Sequence, residues 1–549
     1  MRTPAASLLA FALPALATAA GPGGPGGGPG GPGGGPGGPG GGPGGPGGGP
    51  GGPGGGPGGP GGGPGGPPGA RPLVSSEALQ ALIKTEDLLA GSQELQDIAT
   101  AHGGTRVFGS GGHNATVDFL YYTLKAWDYY DVTKQPFKEI FSSGSASLSV
   151  DGEAVKAEVL TYTPSGYAVD TPVVEVANVG CDVADFPAAV AGNIALIKRG
   201  ECTFSQKSLN AKAAGAVAAI IYNNVQGSLQ GTLGQPLLDY APVVGVSLEA
   251  GEALLAKLAE GPVAATLKID AVVEERITYN VIAETKEGDH DNVVLLGGHS
   301  DSVSAGPGIN DDGSGTIGLL TVAKALTKFR VKNAVRFAFW SAEEFGLLGS
   351  YAYMKSINSS ATEVSKIRAY LNFDMIASPN YIYGIYDGDG NAFNLTGPTG
   401  SDVIERNFED FFRRKGTPSV PTEFSGRSDY AAFIENGIPS GGLFTGAEVL
   451  KTEEEARLFG GQAGVAYDVN YHQPGDTVDN LALDAFLLNT QAIADAVATY
   501  SAHGFRGIPR VDGKKRRWDA HRARMLKRST GSHGHAHFHS GPCGGGATI

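Results

Sequence analysis

The chain has 549 residues, a formal net charge of −14 and three cysteines. This length exceeds what one ordinary hydrophobic core supports, so two or more domains are expected. The 87 glycines would indicate disorder if they were spread evenly, but they are concentrated near the N-terminus. No later run of about 20 apolar residues occurs, which predicts a protein without a membrane anchor.

The first 70 residues fall into two segments outside any predicted core. Residues 1–20 combine Met1-Arg2 with an apolar stretch and small residues, which is typical of a cleavable signal peptide. We therefore expect entry into the secretory pathway, with an extracellular or vacuolar destination. Residues 21–70 are almost only Gly and Pro, and their spacing breaks the Gly-every-third pattern of a triple helix. This composition predicts a disordered spacer.

Two of the three cysteines lie in the region 146–272. Cys181 and Cys202 flank the stretch 192–200, which is followed by a predicted helix over 204–219 and a predicted strand over 220–224. The region resembles a protease-associated domain, a small β-rich insert. With this resemblance we expect a disulfide between the two cysteines, worth about 3 kcal/mol on the chain-entropy estimate. Cys543, in the C-terminal tail, has no assigned role.

From residue 280 onward, strand and helix patterns alternate. This alternation predicts an α/β sandwich with a mixed central sheet. The predicted strands cover 280–283, 292–296, 335–340, 369–373 and 441–444, and the predicted helices cover 316–329, 347–356, 401–415 and 483–502.

Side chains suited to binding metal follow several of these predicted strands or open a helix. Because the carboxyl ends of strands gather on one edge of a mostly parallel sheet, we expect these side chains to converge. Each motif alone is more typical of a turn or a helix start, but their joint occurrence in this order favours a metal site. In chain order they are His299, Asp301, Asp311, Glu343, Glu344, Asp374, Tyr471 and His472.

Imidazole and carboxylate groups are the ligands of two-zinc hydrolases. Zinc takes them at about 2.0 to 2.2 Å, and catalytic zinc keeps one position for water. Two ions roughly 3.5 to 4 Å apart need one shared carboxylate, plus an imidazole and a carboxylate for each ion. The cluster supplies two histidines and sufficient acids, so the sequence predicts a hydrolase with two zinc ions.

The region 278–502 resembles the aminopeptidase Y family of co-catalytic zinc aminopeptidases. The matching strings are GGHSDSVSAGPGINDDGSG, FWSAEEFGLLGS, YLNFDM, GRSDYAAF and YHQPGDT, and residues 113–120 resemble the N-terminal helix of that family. The resemblance implies a three-layer α/β sandwich of the zinc-exopeptidase type with a protease-associated insert. The implied domains are an N-terminal peptidase segment at 71–145 (of which 71–104 could be partly a pro-segment), the insert at 146–272, the di-zinc domain at 273–504 and a basic, His-rich disordered tail at 505–549.

The same resemblance implies the zinc ligands. One ion would be held by His299 and Asp374, the other by Glu344 and His472, and Asp311 would bridge the two. The implied cofactor is therefore two Zn²⁺ ions per chain.

Catalytic roles also follow from the resemblance. Glu343 would be the general base toward a zinc-bridging water and then the acid that protonates the leaving amine. Asp301 would orient a ligand imidazole, and Tyr471 would donate to the oxyanion. The residues at 426–429 would line the substrate pocket, although an ion pair between Arg427 and Asp429 or a helix-capping role for Asp429 is an open alternative.

One departure from the family lies next to the Tyr-His dipeptide. Many relatives flank it with two cysteines that close a small disulfide, and here those positions are Asn470 and Gly475. Both cysteines are absent together, so no lone thiol remains. The rigidity of the His472 loop is therefore an open question.

The remaining expectations concern modification and partners. Asn114, Asn358 and Asn394 begin Asn-x-Ser/Thr triplets, which predict glycosylation acceptors. The stretch 505–530 holds ten Lys or Arg against two Asp, with few interleaved aromatic residues. We expect a solvated or processed tail rather than a nucleic-acid or membrane partner. Peptides with a free N-terminus are the expected substrates, and a monomer is the expected state.

Three alternatives to the aminopeptidase are open at this point. A carboxypeptidase on the same fold would clamp a terminal carboxylate with arginines, a single-zinc cyclase would need only one donor set, and a non-catalytic binding module would have lost ligands. The chain keeps every implied ligand, which favours the active enzyme. The preference for a large apolar, leucine-like N-terminal residue rests on the resemblance.

Overall fold

The computed structural model describes residues 71–511, apart from positions 230, 235, 237 and 238. The predicted signal peptide, the Gly/Pro spacer and the basic, His-rich tail beyond 511 lie outside the described residues. The N-terminal part forms α1 (Ser76–Gln80), α2 (Thr85–Ala101), α3 (Gly111–Ala126) and the long strand β1 (Tyr130–Val150).

The insert that follows is rich in short, buried strands. Strands β4 to β7 pair in parallel, and β5, β6 and β7 are almost fully buried because their side chains are apolar on both faces. The predicted Cys181–Cys202 disulfide is present in this region. The elements are β2 (Glu153–Val155), β3 (Glu158–Val159), β4 (Gly166–Glu175), 3₁₀ turns at Val183–Asp185 and Ala188–Val190, β5 (Ile194–Lys198), α4 (Phe204–Ala213), β6 (Ala218–Tyr222), β7 (Val243–Val246) and α5 (Leu248–Glu260).

The C-terminal part alternates strands and helices, as predicted. Its elements are β8 (Ala264–Thr285), β9 (Asp289–His299), α6 (Gly313–Leu326), β10 (Asn333–Trp340), α7 (Leu348–Ile357), α8 (Ala361–Lys366), β11 (Ile367–Phe373), β12 (Gly384–Tyr386), α9 (Ser401–Lys415), β13 (Val420–Thr422), α10 (Tyr430–Ile434), β14 (Ser440–Phe444), α11 (Glu453–Phe459), a 3₁₀ turn at Val478–Asn480 and α12 (Leu483–His503).

The central sheet of this part has the order β13-β12-β14-β11-β9-β10-β8-β1. Strands β14, β11, β9 and β10 are parallel, whereas β8 and β12 join them antiparallel. One apolar core unites one face of the sheet with α1, α2, α3, α6, α9 and α12, and a second core unites the other face with α7, α8 and α10. The predicted three-layer α/β sandwich with a mixed central sheet and a β-rich insert is confirmed.

Strand β8 belongs to both the insert and the central sheet. Its first residues pair with β4 of the insert, and its residues Val281–Glu284 pair with β10. Strand β1 pairs antiparallel with β8 from Tyr130 to Val150. A two-stranded ribbon therefore connects the two parts of the molecule.

The two ends of the described chain pack into the main core. Leu79, Leu88 and Leu95 are fully buried there, so removal of the helices that carry them would expose apolar surface. Phe505 and Ile508 are also buried, and the Phe505 ring stacks on Tyr500 at 5.6 Å. The folded domain thus extends to residue 511 rather than 504. In the described part of the chain, no helix combines the length and apolarity needed to cross a membrane.

Candidate metal centre and active site

Three neighbouring parallel strands bring the predicted site residues together. Strand β9 ends at His299, Glu343 and Glu344 follow β10, and Asp374 follows β11. Their carboxyl ends meet at one edge of the sheet, where α/β proteins usually bind ligands. The predicted convergence of these segments is what the structure shows.

Asp311 reaches the same edge from the loop before α6, and its neighbour Asp312 fixes that loop. The Asp312 carboxylate accepts hydrogen bonds from the backbone N–H groups of His299 (2.9 Å), Gly315 (2.8 Å) and Met375 (3.1 Å). One buried acid therefore ties β9, the start of α6 and the turn after β11 together. We did not single out Asp312 from the sequence, although its position before a helix is typical of an N-cap.

The donor atoms form two sets that share Asp311. His299 Nε2 lies 3.1 Å from Asp311 Oδ1 and 3.7 Å from Asp374 Oδ1. His472 Nε2 lies 3.1 Å from both Asp311 Oδ2 and Glu344 Oε2. Each oxygen of Asp311 thus faces a different histidine.

This geometry fits zinc. Ligand atoms at about 2.0 to 2.1 Å from a tetrahedral ion are separated by roughly 3.3 Å, and the donor distances in both sets are close to that value. The first set is His299, Asp311 and Asp374, and the second is His472, Asp311 and Glu344. All five residues come from different strand ends or loops, yet their donor atoms lie within contact distance.

The charges of the cluster also favour a cation. Burial by itself would lower the pKa of His472, but Glu344 and Asp311 raise it to about 10. Burial would likewise lower the pKa of His299, and the carboxylates around it raise that pKa well above its ordinary value. The carboxylates around both rings therefore favour positive charge at this position.

Glu343 is buried beside the two donor sets without belonging to either. Its Oε2 lies 3.8 Å from His299 Nε2, and its backbone N–H donates to Asp301 Oδ1 at 3.1 Å. Burial raises the pKa of Glu343 well above its ordinary value, and Asp374 and Asp429 raise it further. A carboxyl group in this environment has the proton affinity that a general base needs.

Asp301 lies behind the His299 ring. His299 Nδ1 is 3.2 Å from the Asp301 carbonyl oxygen and 3.6 Å from its Oδ1. Both groups are buried, so the ring is held with Nε2 toward the metal position. The nearer of the two contacts is made by the backbone carbonyl, whereas the resemblance implied the carboxylate.

Tyr471 lines the cavity and is held by Arg427. The Arg427 guanidinium donates to the Tyr471 hydroxyl at 3.2 Å and to Glu448 at 2.9 Å. The Tyr471 ring also stacks on His472 at 3.8 Å. Arg427 therefore forms an ion pair with Glu448.

Asp429 is buried at the start of α10, but its side chain makes no capping hydrogen bond. Burial raises the pKa of Asp429 to about 7. The preceding Ser428 donates to Asp374 Oδ2, which steadies a predicted zinc ligand.

Arg106 is a second residue that the sequence did not indicate. Its buried guanidinium donates to the carbonyl oxygens of Ser300, Pro307 and Gly308, which lie in the loop between His299 and Asp311. A lone arginine in an irregular segment carries no sequence signal for this role. Only the fold brings it under the metal-binding loop.

A cavity of about 250 Å³ opens beside the cluster. Its polar wall includes Asp311, Glu343, Asp374, Glu423, Arg427, Ser428 and Tyr471. Its apolar wall includes Met375, Tyr386, Phe444, Ala447 and Val449.

A separate group of acids, at Asp387, Asp389 and Glu405, has a structural explanation. Asp387 accepts hydrogen bonds from the N–H groups of Gly390, Ala392 and Phe393. Glu405 accepts from the N–H groups of two residues of the same loop. These carboxylates close a turn.

Comparison with known proteins identifies the family. Residues 280–497 match Peptidase family M28, and residues 169–254 match the PA domain. The chain is 58% identical over 443 residues to "Probable leucine aminopeptidase 2" of Aspergillus fumigatus, an alignment that covers 80% of this chain and 88% of that relative. The chain belongs to peptidase family M28. The predicted family, its insert and its class of enzyme are thereby confirmed.

The chain is also similar to other aminopeptidases. "Leucine aminopeptidase 2" of Trichophyton rubrum is 52% identical over 440 residues, covering 80% of this chain and 88% of that relative. Among solved structures, an aminopeptidase from Aneurinibacillus is 28% identical with a TM-score of 0.59, covering 80% of this chain and 97% of that one. A zinc aminopeptidase from Bacillus subtilis is 25% identical with a TM-score of 0.59, covering 79% and 99%.

Proposed function

We propose that this M28 chain is a two-zinc aminopeptidase that removes large apolar residues from the N-terminus of peptides. The observation that carries the proposal is the pair of donor sets that share Asp311. His299 and Asp374 would hold one ion, and His472 and Glu344 would hold the other. When bound, zinc at these positions would supply Lewis acidity to the scissile carbonyl and lower the pKa of water.

The protein's own groups supply the proton transfers. Glu343 lines the cavity beside Asp311 and Asp374, where it can take a proton from the attacking water and return it to the leaving amine. Tyr471 lines the same cavity, and its hydroxyl can donate to the developing oxyanion. Asp301 holds the His299 ring in one orientation.

The cavity favours an exopeptidase that recognises an amine. The carboxyl groups of Glu343, Asp374 and Glu423 line it and would attract the cationic N-terminus of a peptide. Arg427 also lines it, but its guanidinium is engaged by Glu448 and Tyr471, which does not suit a carboxylate clamp. The presence of a complete second donor set speaks against a single-zinc cyclase.

The apolar wall of the cavity supports a leucine-like preference. Met375, Phe444, Ala447 and Val449 are of the size and character that accommodate a branched aliphatic side chain. Ala447→Phe would fill part of this volume. We expect the ratio of kcat/KM for leucyl over alanyl substrates to fall by about 10-fold or more, as for other pocket-filling changes of this size.

A panel of aminoacyl chromogenic substrates, each with a free and an acetylated amine, tests the proposal. The free leucyl compound should be cleaved fastest, and the acetylated compounds should resist. Ala188→Phe, at an exposed position of the insert, serves as the control for Ala447→Phe. Release of residues from the C-terminus of blocked peptides would instead establish a carboxypeptidase.

We also infer that the protein enters the secretory pathway, to an extracellular or vacuolar destination. The Cys181–Cys202 disulfide supports this, because such bonds persist in oxidising compartments. Asn114 and Asn394 are exposed and Asn358 is half-buried, so glycan acceptors are within reach of the modifying enzymes. Expression in a eukaryotic secretory host, with glycosidase treatment and N-terminal sequencing, tests this. Retention of residues 1–20 in a cytosolic, unglycosylated product would contradict it.

A further inference from the structure

Asp476 is a buried acid four residues after His472, and it contacts the chain at Asp311. Its side chain is 2% exposed. Asp476 Oδ1 accepts from the Asn310 N–H at 2.8 Å, and Oδ2 accepts from the Asp311 N–H at 3.1 Å. The Asp476 carbonyl oxygen accepts from the Ile309 N–H at 3.1 Å. One residue thus makes three consecutive hydrogen bonds to the backbone that presents the shared carboxylate.

These contacts join the two loops that meet at the metal centre. His472 and Asp476 lie in one turn, in which the Asp476 N–H donates to the Gln473 carbonyl at 3.2 Å. The side chains of the two loops also meet, because His472 Nε2 is 3.1 Å from Asp311 Oδ2. The backbone contacts of Asp476 thus connect the loop of Asp311 with the turn of His472.

A second set of side chains holds Asp476 in place. Asn480 Nδ2 donates to both oxygens of Asp468, at 3.0 and 2.9 Å, and approaches Asp476 Oδ1 at 3.3 Å. Asn310 Nδ2 donates to Asp468 Oδ2 at 2.7 Å. Asp468 therefore contacts these two side chains and the Asn470 N–H but not the backbone of Asp311, so it serves as a comparison.

Burying a carboxylate is costly, and packing alone does not need one here. A bidentate acceptor does meet a specific demand, because one side chain accepts from the two successive N–H groups of Asn310 and Asp311. Groups that orient ligands in this way change metal affinity or activity by about 10- to 100-fold when they are removed.

We propose that Asp476 is a positioning residue that fixes the shared carboxylate of Asp311 between the two donor sets. The inference rests on the metal-binding part of the proposed function. It adds a residue outside the ligand set that controls how tightly zinc is held.

The test compares Asp476→Asn with Asp468→Asn and Asp479→Asn. In Asp476→Asn an amide group replaces one acceptor oxygen and faces a backbone N–H, so one of the two hydrogen bonds is lost. Asp468→Asn removes a nearby buried charge without touching the Asp311 backbone. Asp479→Asn removes an exposed charge from the same segment and should behave as the wild type.

Zinc affinity of the metal-free proteins is measured by competition with a fluorescent chelator. We expect the apparent Kd for zinc in Asp476→Asn to rise by about 10- to 100-fold, and by less in Asp468→Asn. The conservative variant Asp476→Glu, which keeps both acceptor oxygens, should recover part of the affinity. Circular dichroism and thermal unfolding of the metal-free proteins report whether each variant folds.

Each outcome separates positioning from other roles. Equal losses in Asp476→Asn and Asp468→Asn would mean that only charge matters, and unchanged affinity in both Asp476 variants would also overturn the proposal. A lower unfolding temperature with wild-type zinc affinity would show a purely structural role. The assay needs no peptide cleavage, so a wild type that binds zinc but cleaves no peptide would refute the proposed function and leave this inference standing.

Discussion

The insert and the C-terminal domain both bury charged side chains, but they treat them differently. In the insert, the Lys207 ammonium donates to the carbonyl oxygens of Gly200 (2.8 Å) and Val179 beside the disulfide, and burial lowers its pKa to about 8. In the C-terminal domain, Asp301 Oδ2 is buried without a hydrogen-bond partner among the described residues. The buried Lys207 ammonium is hydrogen-bonded within the insert. The buried carboxylates of the metal centre, in contrast, would be neutralised by an added cation.

Buried polar groups therefore have different roles in the two regions. Buried polar atoms are almost always hydrogen-bonded in proteins, so a cluster of exceptions calls for an explanation. Here the buried Asp301 carboxylate lies beside the two donor sets, whereas other exceptions, such as the hydroxyls of Ser92 and Tyr500, lie elsewhere. Changes in the centre should therefore alter chemistry and metal content, whereas changes in the insert should alter stability alone.

The largest effect should come from Glu343→Gln. The amide keeps the shape of the side chain but cannot accept the proton of water, so kcat should fall by about 10²- to 10⁴-fold. Zinc content should stay at the wild-type value, because Glu343 belongs to neither donor set. Steady-state kinetics with a leucyl substrate and metal analysis by plasma emission check both points. Full activity in this variant would remove Glu343 from the mechanism.

Removal of the insert's disulfide should lower stability but leave the zinc content of the metal centre unchanged. Cys181→Ser combined with Cys202→Ser opens a loop with a sequence separation of 21 residues. The expected loss is about 3 kcal/mol in the free energy of unfolding of the insert. Denaturant unfolding with hydrogen exchange locates this loss, and zinc content serves as the control. Loss of zinc would show that the two regions are coupled more tightly than we infer.

Zinc binding should release protons. In the metal-free protein, the pKa of His472 is raised to about 10 and that of His299 is raised well above its ordinary value. Both imidazoles are therefore protonated at pH 7 and must lose a proton to bind zinc, so affinity should increase with pH and fall as pH is lowered. Titration calorimetry in buffers of different ionisation enthalpy should show proton release on zinc binding. Binding without proton release would contradict the charge state that we assign to the centre.

The smallest effect should come from restoring the cysteine pair of the relatives. A Cβ built on Gly475 would lie 2.3 Å from Asn470 Oδ1, so the two positions adjoin. Asn470→Cys with Gly475→Cys should raise stability by at most about 2 kcal/mol, because the loop is short. Thermal unfolding of the oxidised and reduced forms of the same variant gives the comparison. Unchanged unfolding with loss of zinc would show that this loop is built differently.

The sequence predicted the order of strands and helices in the C-terminal domain because apolar periodicity is strong there. The helix Ser401–Lys415 agrees with its prediction at both ends, and the strands before His299, Glu343 and Asp374 were each located. Their convergence followed from a rule about parallel sheets. The sequence also indicated the cysteine pair of the insert through its resemblance.

Long-range partners could not be predicted in this way. The 21-residue strand β1 was not predicted, because its residues show no strict alternation and its pairing partner is distant in the chain. The contacts of Arg106 and Asp476 depend on loops that only the complete fold brings together. The segment 71–104 could be read as partly a pro-segment because its apolar residues have no visible partner in the sequence until α6 and α12 are in place.

The central claim is that Asp311 is shared by two metal sites. Plasma emission analysis of the zinc-loaded protein, in the wild type and in Asp311→Asn, His299→Ala and His472→Ala, tests it most directly. We expect two zinc ions per chain in the wild type, about one after either histidine is removed, and weak retention of both after Asp311 is changed. A wild type that holds a single ion, or an Asp311→Asn variant that holds two as tightly as the wild type, would contradict the account.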